Sequence, residues 1–148
     1  MAVSIDDTER KRAEDESRES EARFRAAFDQ SAIGMAQVAL DGRWMHVNDR
    51  LCDILGYTRN ELLALTFADI TSPDTIDADL DALRKFQVGE VDTYRVEKRY
   101  VRKDGSLVWV DLMSSVVRDE NGLPEYFVDM IEDVYDRKKA EQALRASE

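Results

Sequence analysis

Val47-Asn48-Asp49-Arg50-Leu51-Cys52-Asp53-Ile54-Leu55-Gly56-Tyr57-Thr58-Arg59-Asn60-Glu61-Leu62 is the stretch on which the reading of the fold turns. The Asn48 side chain can accept a hydrogen bond from the first free backbone N–H groups of a helix, so it N-caps a short helix through Leu55. Gly56 ends that helix in the left-handed conformation, which glycine enters without steric cost. Thr58 and Glu61 then have capping-box spacing, and a second helical turn opens at once.

Outward from this stretch, three dipeptides mark hairpins: Asp41-Gly42, Asp104-Gly105 and Asn121-Gly122. Each is expected to supply the positive φ of a tight primed turn between apolar or alternating runs. The flanks predict five antiparallel strands: 33–40 with 43–47, 93–102 with 106–118, and 106–118 with 123–132. Between the early pair and the late three, Ser72-Pro73 suits a helix start, and Ile76, Leu80, Leu83 and Phe86 recur at helical spacing until Gly89. One sheet with short helices against one face is an α+β architecture.

The two ends of the chain resemble each other. Residues 6–21 align with 133–148 at a constant offset of 127, and eight of the sixteen pairs are identical, among them Asp6/Asp133, Arg10/Arg137, Lys11/Lys138 and Arg18/Arg145. A fixed offset of this size predicts a tandem array in which the chain starts at the tail of one unit and stops just after the next. Both copies read as charged helices with a narrow apolar seam, the pattern of a short coiled coil or of a helix packed on a partner. The chain is thus divided into an N-terminal linker and coiled-coil helix (1–22), a central domain (23–133) and the start of a C-terminal helix (134–148).

The 148 residues suffice for one domain with its own core, without disulfides or a structural metal. Lys and Arg number 21 against 32 Asp and Glu, a formal charge of −11, which disfavours binding to nucleic-acid phosphates. One cysteine (Cys52) and one histidine (His46) leave no disulfide framework, no CxxC redox pair and no usual zinc set, so no metal site is expected. No apolar run approaches the length of a membrane span, and the N-terminus lacks a signal peptide's apolar region. A cytoplasmic chain with no direct membrane insertion is expected. No P-loop, Rossmann glycine run or nucleophile–histidine pair is present, so no catalytic residue is assigned and no enzymatic activity is expected.

The quoted stretch resembles the "VN…F…L.GY…EL" signature of the PAS domain. Arg102-Lys103-Asp104-Gly105-Ser106, with Trp109 shortly after, is similar to that family's "RKDGS…W" hairpin. Asp133 to Arg137 stands where the family carries Asp-Ile/Val-Thr-Glu-Arg, with Tyr135 in place of the threonine that the N-terminal copy keeps as Thr8. The resemblance covers about residues 21–140. It implies the PAS fold, a five-stranded antiparallel sheet cupping a small pocket under short helices, flanked by N- and C-terminal signalling helices. It further implies a sensory or relay role, with signals leaving through the helices to an effector such as a histidine kinase or a cyclic-di-nucleotide enzyme. No GGDEF, EAL or kinase nucleotide box occurs in this chain.

Against that background, flavin–thiol photochemistry is excluded, because Phe67 occupies the place of the reactive cysteine of light-sensing members. Cys52 reads as a small hydrophobe on the first short helix. The segment 73–88, where haem-binding members often place a histidine, contains none, and His46 reads as a structural residue. No cofactor is expected, and noncovalent flavin or haem has no supporting motif.

Strand alternation puts Val110, Leu112, Ser114 and Val116 on one face of the fourth strand and Trp109, Asp111, Met113 and Ser115 on the other. The resemblance turns the first set toward the cavity, together with Phe127, Asp129 and Ile131. The expected ligand pocket comprises Met35, Leu51, Ile70, Tyr94, Tyr100, Val110, Leu112, Ser114, Phe127 and Asp129. Met35, Leu51 and Ile70 also suit the core, as do Ile76 and Leu80. Asp129 stands out, because a carboxylate in a cavity must be paired, hydrogen-bonded or protonated. Asp133, Tyr135 and Arg137 are the expected transmission residues. The acidic run 69–92 and the basic run 93–118 could also attract neighbouring units. The leading expectation is a homodimeric sensory and relay module with a neighbouring PAS or effector domain; the alternative is a ligand-free dimerisation and spacing module with a self-filled core.

Overall fold

The computed structural model describes residues 7–147. Residues 1–6 of the N-terminal linker, including Asp6 of the repeat, and Glu148 lie outside the described residues. In order, the elements are α1 (Asp7–Gln30), β1 (Gly34–Ala39), β2 (Trp44–Val47), α2 (Asp49–Leu55), α3 (Arg59–Leu63), α4 (Phe67–Ile70), α5 (Ile76–Gln87), β3 (Thr93–Val101), β4 (Leu107–Arg118), β5 (Pro124–Asp133) and α6 (Tyr135–Ala146). The five strands form one antiparallel sheet in the order β2-β1-β5-β4-β3. The last strand in sequence therefore lies at the centre, and α2 to α5 cover the inner face.

The capping signals act as the sequence implies. Asn48 accepts from Leu51 N–H, Gly56 has φ 77°, and Thr58 and Glu61 form a reciprocal capping box. A second box, Thr66 with Asp69, starts α4. Asn48 does more than cap. Its Oδ1 also accepts from Met35 N–H at 2.9 Å, while Nδ2 donates to the carbonyls of Phe28 at 2.8 Å and Ile33 at 2.9 Å. One buried amide thus ties α1, β1 and α2 together with its hydrogen-bonding groups in use.

The three hairpins differ from expectation in turn type. Only the glycines have positive φ, and each donates to the residue three before it: Gly42 to Ala39, Gly105 to Arg102 and Gly122 to Asp119. The residue after each glycine accepts from the other end of the loop, giving three-residue loops with a glycine bulge instead of two-residue primed turns. An aspartate braces each loop from a different place. Asp41 and Asp104, directly before their glycines, accept from the N–H directly after them, and Asp119, three residues before Gly122, accepts from the N–H groups of Asn121 and Leu123.

Two further expectations are corrected. Leu80 is 49% exposed instead of core; on α5 the buried face is Asp79, Ala82 and Phe86, because Asp79 turns inward to a lysine. His46 is exposed on the outer face of the sheet, in a groove it shares with Phe24 and Met45, and is not packed inside. The complementary acidic and basic runs meet within the domain: Asp74 pairs with Arg99, Asp79 with Lys98 and Asp92 with Arg118. Cys52 is half-buried against the core, and burial pushes its thiol pKa up. In contrast to this packed body, residues 7–27 of α1 are exposed on every side, and only Phe28 is buried. Among the described residues no helix is long and apolar enough to cross a membrane.

Candidate functional site

Beneath α5, between the helices and the sheet, lies a cavity offering about 50 Å³ to the centre of a water molecule. Its walls are apolar at Val38, Phe67, Ala82, Leu83, Phe86, Leu112 and Phe127. Its polar groups come from four elements: Asp79 on α5, Tyr94, Lys98 and Tyr100 on β3, Ser114 on β4 and Asp129 on β5. Period-two alternation explains the strand contributions, since 94, 98 and 100 share a face of β3 and Ser114 stands opposite Asp129 in the β4–β5 register.

Lys98 donates to Asp79 Oδ2, the two side chains being 2% and 5% exposed. The ammonium lies 4.3 Å from the ring centroid of Tyr100 and 5.3 Å from that of Phe67, so aromatic faces share in offsetting its lost hydration. Burial raises the Asp79 pKa and lowers that of Lys98, and the attraction between the partners only partly opposes both shifts. The pair is therefore expensive in isolation and depends on its surroundings.

Asp129 is 6% exposed, and burial pushes its pKa up to about 6 against the opposing effects of Ser114 and Lys98. Its Oδ1 has no protein hydrogen-bond partner, and neither does the hydroxyl of Tyr100, a residue with no exposed surface. Burial also holds the Tyr100 phenol well above the usual tyrosine range. The cavity thus presents one unused acceptor and one unused hydroxyl against apolar walls.

Of the pocket residues expected from sequence, Tyr94, Tyr100, Leu112, Ser114, Phe127 and Asp129 line this cavity. Leu51, Ile70 and Val110 are buried in the core and do not line it. Met35 is corrected to the opposite face, because Gly34, Ala36 and Val38 are the inward residues of β1. Lys98 and Asp79 were not anticipated. The available signal was parity: Lys98 falls in the same alternation as Tyr94, Val96 and Tyr100.

At the far end of β5 the chain passes into α6. Asp133 accepts from Tyr135 N–H at 2.8 Å and lies 3.7 Å from Arg102. Val134 is buried and donates its N–H to the carbonyl of Trp109 at 3.1 Å. Arg137 reaches Glu97 at 3.1 Å and Asp111 at 3.8 Å, and Lys138 reaches Glu97 at 3.3 Å. Tyr135 is 60% exposed, beneath the Lys139 ammonium. Arg137 and Lys138 therefore hold the helix to Glu97 on β3 and Asp111 on β4, with Asp133 bonded to its first turn, while Tyr135 points away.

Comparison with known proteins agrees with this architecture. A family profile described as PAS fold matches residues 44–131. The chain is 45% identical over 124 residues to the probable diguanylate cyclase DgcE of Escherichia coli, covering 84% of this chain and 11% of that protein. It is 27% identical over 125 residues to the sensor histidine kinase TmoS of Ectopseudomonas mendocina, covering 84% of this chain and 13% of that protein. The chain therefore spans only about a tenth of the length of these relatives. Among solved structures, the PAS domain of an HTR-like protein from Haloarcula marismortui aligns with a TM-score of 0.68 and 27% identity, over 83% of this chain and 98% of that one. With the five-stranded sheet, the capped short helices and the profile match in agreement, the chain belongs to the PAS-fold family.

Proposed function

We propose that this PAS domain is a sensory and signal-relay module that takes a small ligand into the cavity beneath α5 and passes the change through β5 to α6. The observation that carries the reading is that one strand bears both Asp129, inside the cavity, and Asp133, at the root of the exit helix. A ligand acts here only by binding two arrangements of the sheet with different affinities. The effector lies outside this chain; relatives named as a diguanylate cyclase and a histidine kinase support an enzyme of one of those kinds. The module itself is read as non-catalytic and cytoplasmic. It is also read as homodimeric through its helices, since a 24-residue helix exposed for most of its length gains stability from a partner.

In this reading the cavity works without a flavin or haem. Its volume falls far short of the roughly 300 Å³ at which pockets for larger ligands begin. Phe67, which stands where light-sensing members carry their cysteine, forms part of the wall. The second reading, a ligand-free spacer, draws support from the Lys98–Asp79 pair, which fills much of the interior with the domain's own side chains. Purification followed by visible absorbance and denaturing mass spectrometry separates the two. A co-purified small molecule supports the sensor, a chromophore overturns the cofactor-free reading, and a clean protein with no ligand-dependent melting shift favours the spacer.

A further inference from the structure

Resting on the sensory reading, we infer that the cavity selects a small neutral molecule with a group that both donates and accepts a hydrogen bond, a short-chain alcohol above all. The two unused polar atoms define the requirement. Asp129 Oδ1 has lone pairs and no protein donor, and the Tyr100 hydroxyl has a proton and no protein acceptor. Both residues line the cavity and are more than nine-tenths buried, so neither group can turn to bulk water. An alcohol hydroxyl has the chemistry for both needs: its O–H donates as Asp129 requires, and its oxygen accepts as Tyr100 requires.

Charged ligands and pure acceptors leave one of the two unmet. A carboxylate accepts only, and it would enter beside Asp79 and Asp129 with the single ammonium of Lys98 already engaged. A ketone or ether accepts from Tyr100 but brings nothing to Asp129. An alkylammonium donates but leaves the Tyr100 proton unaccepted. Size sets the other bound: at about 10–15 Å³ per water, the cavity of about 50 Å³ holds about three to five waters, or an organic molecule of comparable bulk. Phe86 and Phe127, whose rings lie 5.1 Å apart, supply the wall for a short alkyl tail.

The test uses the chain with 1-propanol, acetone and propionate as probes at millimolar concentration, followed by amide chemical shifts. The expected result is saturable perturbation centred on Ser114, Phe127 and Asp129 by 1-propanol, with acetone and propionate at least tenfold weaker. Tyr100→Phe removes the hydroxyl and keeps the ring, and it is expected to lower 1-propanol affinity about tenfold with its spectrum still dispersed. Asp129→Asn, which exchanges one acceptor oxygen for a donor, is the second variant and is expected to weaken binding likewise. Equal binding of acetone, or unchanged affinity in both variants, overturns the inference. If a differently built small molecule co-purifies and none of the three probes binds, the alcohol inference falls while the sensor stands. If nothing co-purifies and no probe perturbs the cavity, both fall together.

Discussion

Lys98 and Asp79 neutralise each other inside the domain, where burial works against the charge of each. Their partnership has a signature in mutational energetics. Lys98→Met alone strands a buried carboxylate and is expected to cost about 3–5 kcal/mol of stability. Lys98→Met together with Asp79→Leu removes both charges, and it is expected to cost far less than the two single changes added. A double-mutant cycle by urea denaturation checks this, and additive single costs would contradict it.

Asp129 predicts a pH dependence of opposite sense to that of an ordinary salt-bridged carboxylate. Its pKa rises from 3.8 to about 6 on folding, so between those values the folded state binds the proton that the unfolded chain has released. The contribution is fully present below the unfolded value and is lost as pH rises through about 6, a total of roughly 3 kcal/mol. Lys98 and Asp79 face the same cavity, and Tyr100 stays protonated throughout. Asp129→Asn is expected to flatten the decline between pH 4 and 6.5, measured by denaturation midpoints in that window. A variant with the same slope as the parent would place the effect elsewhere.

Asn48 is expected to be among the least replaceable polar residues of the domain. Asn48→Ala leaves the Met35 and Leu51 amides and the Phe28 and Ile33 carbonyls without their partner, at a cost of about 3 kcal/mol. Asn48→Asp keeps the acceptors but sets a carboxylate oxygen against two carbonyls, and it is expected to fare no better. Amide exchange should show Met35 and Leu51 losing protection first.

The helical cap at Asn48, the Gly56 stop, the Thr58–Glu61 box and all five strands were legible because each depends on neighbours within a few residues. So was the division of β4 and β5 into two faces, which period-two alternation fixes, while the resemblance to the PAS family told which face turns inward. The charged interior was harder to read. Lys98 sits in a strand with Arg95, Glu97 and Arg99, and local composition says solvent; the partner on α5, nineteen residues earlier, and the rings of Tyr100 and Phe67 make its burial tolerable. Leu80 misled for the matching reason: helical spacing proposed it for the core, but the helix rotates to bring Asp79 to Lys98. The turn geometry of the hairpins was missed because the Asp–Gly and Asn–Gly signals do not distinguish a primed turn from a glycine bulge.

Gly34 offers a test of backbone approach. A Cβ there would lie 2.9 Å from the Ile131 carbonyl oxygen and 3.2 Å from the Ile54 Cδ1 atom. Gly34→Ala therefore forces β1 away from β5 or α2 and is expected to cost about 1–3 kcal/mol, read from the thermal midpoint. An unchanged midpoint would mean the strand pair yields freely at that point.

Arg137 carries a different expectation. Its pairs with Glu97 and Asp111 are partly exposed, so Arg137→Ala is expected to cost less than about 1 kcal/mol. Its effect should instead appear as faster amide exchange along α6, with the exchange of β4 and β5 unchanged.

The central position of β5 restricts what kind of motion can leave this domain. The strand is laddered on both sides, to β1 and to β4, so sliding along its own axis would break two sets of hydrogen bonds at once. Asp129 and Asp133 are four residues apart on it, roughly 13 Å. A piston stroke between them is therefore closed. What remains is a change of sheet twist, and because Val134 hangs from the Trp109 carbonyl on the adjacent strand, α6 would feel that change as a rotation about its root.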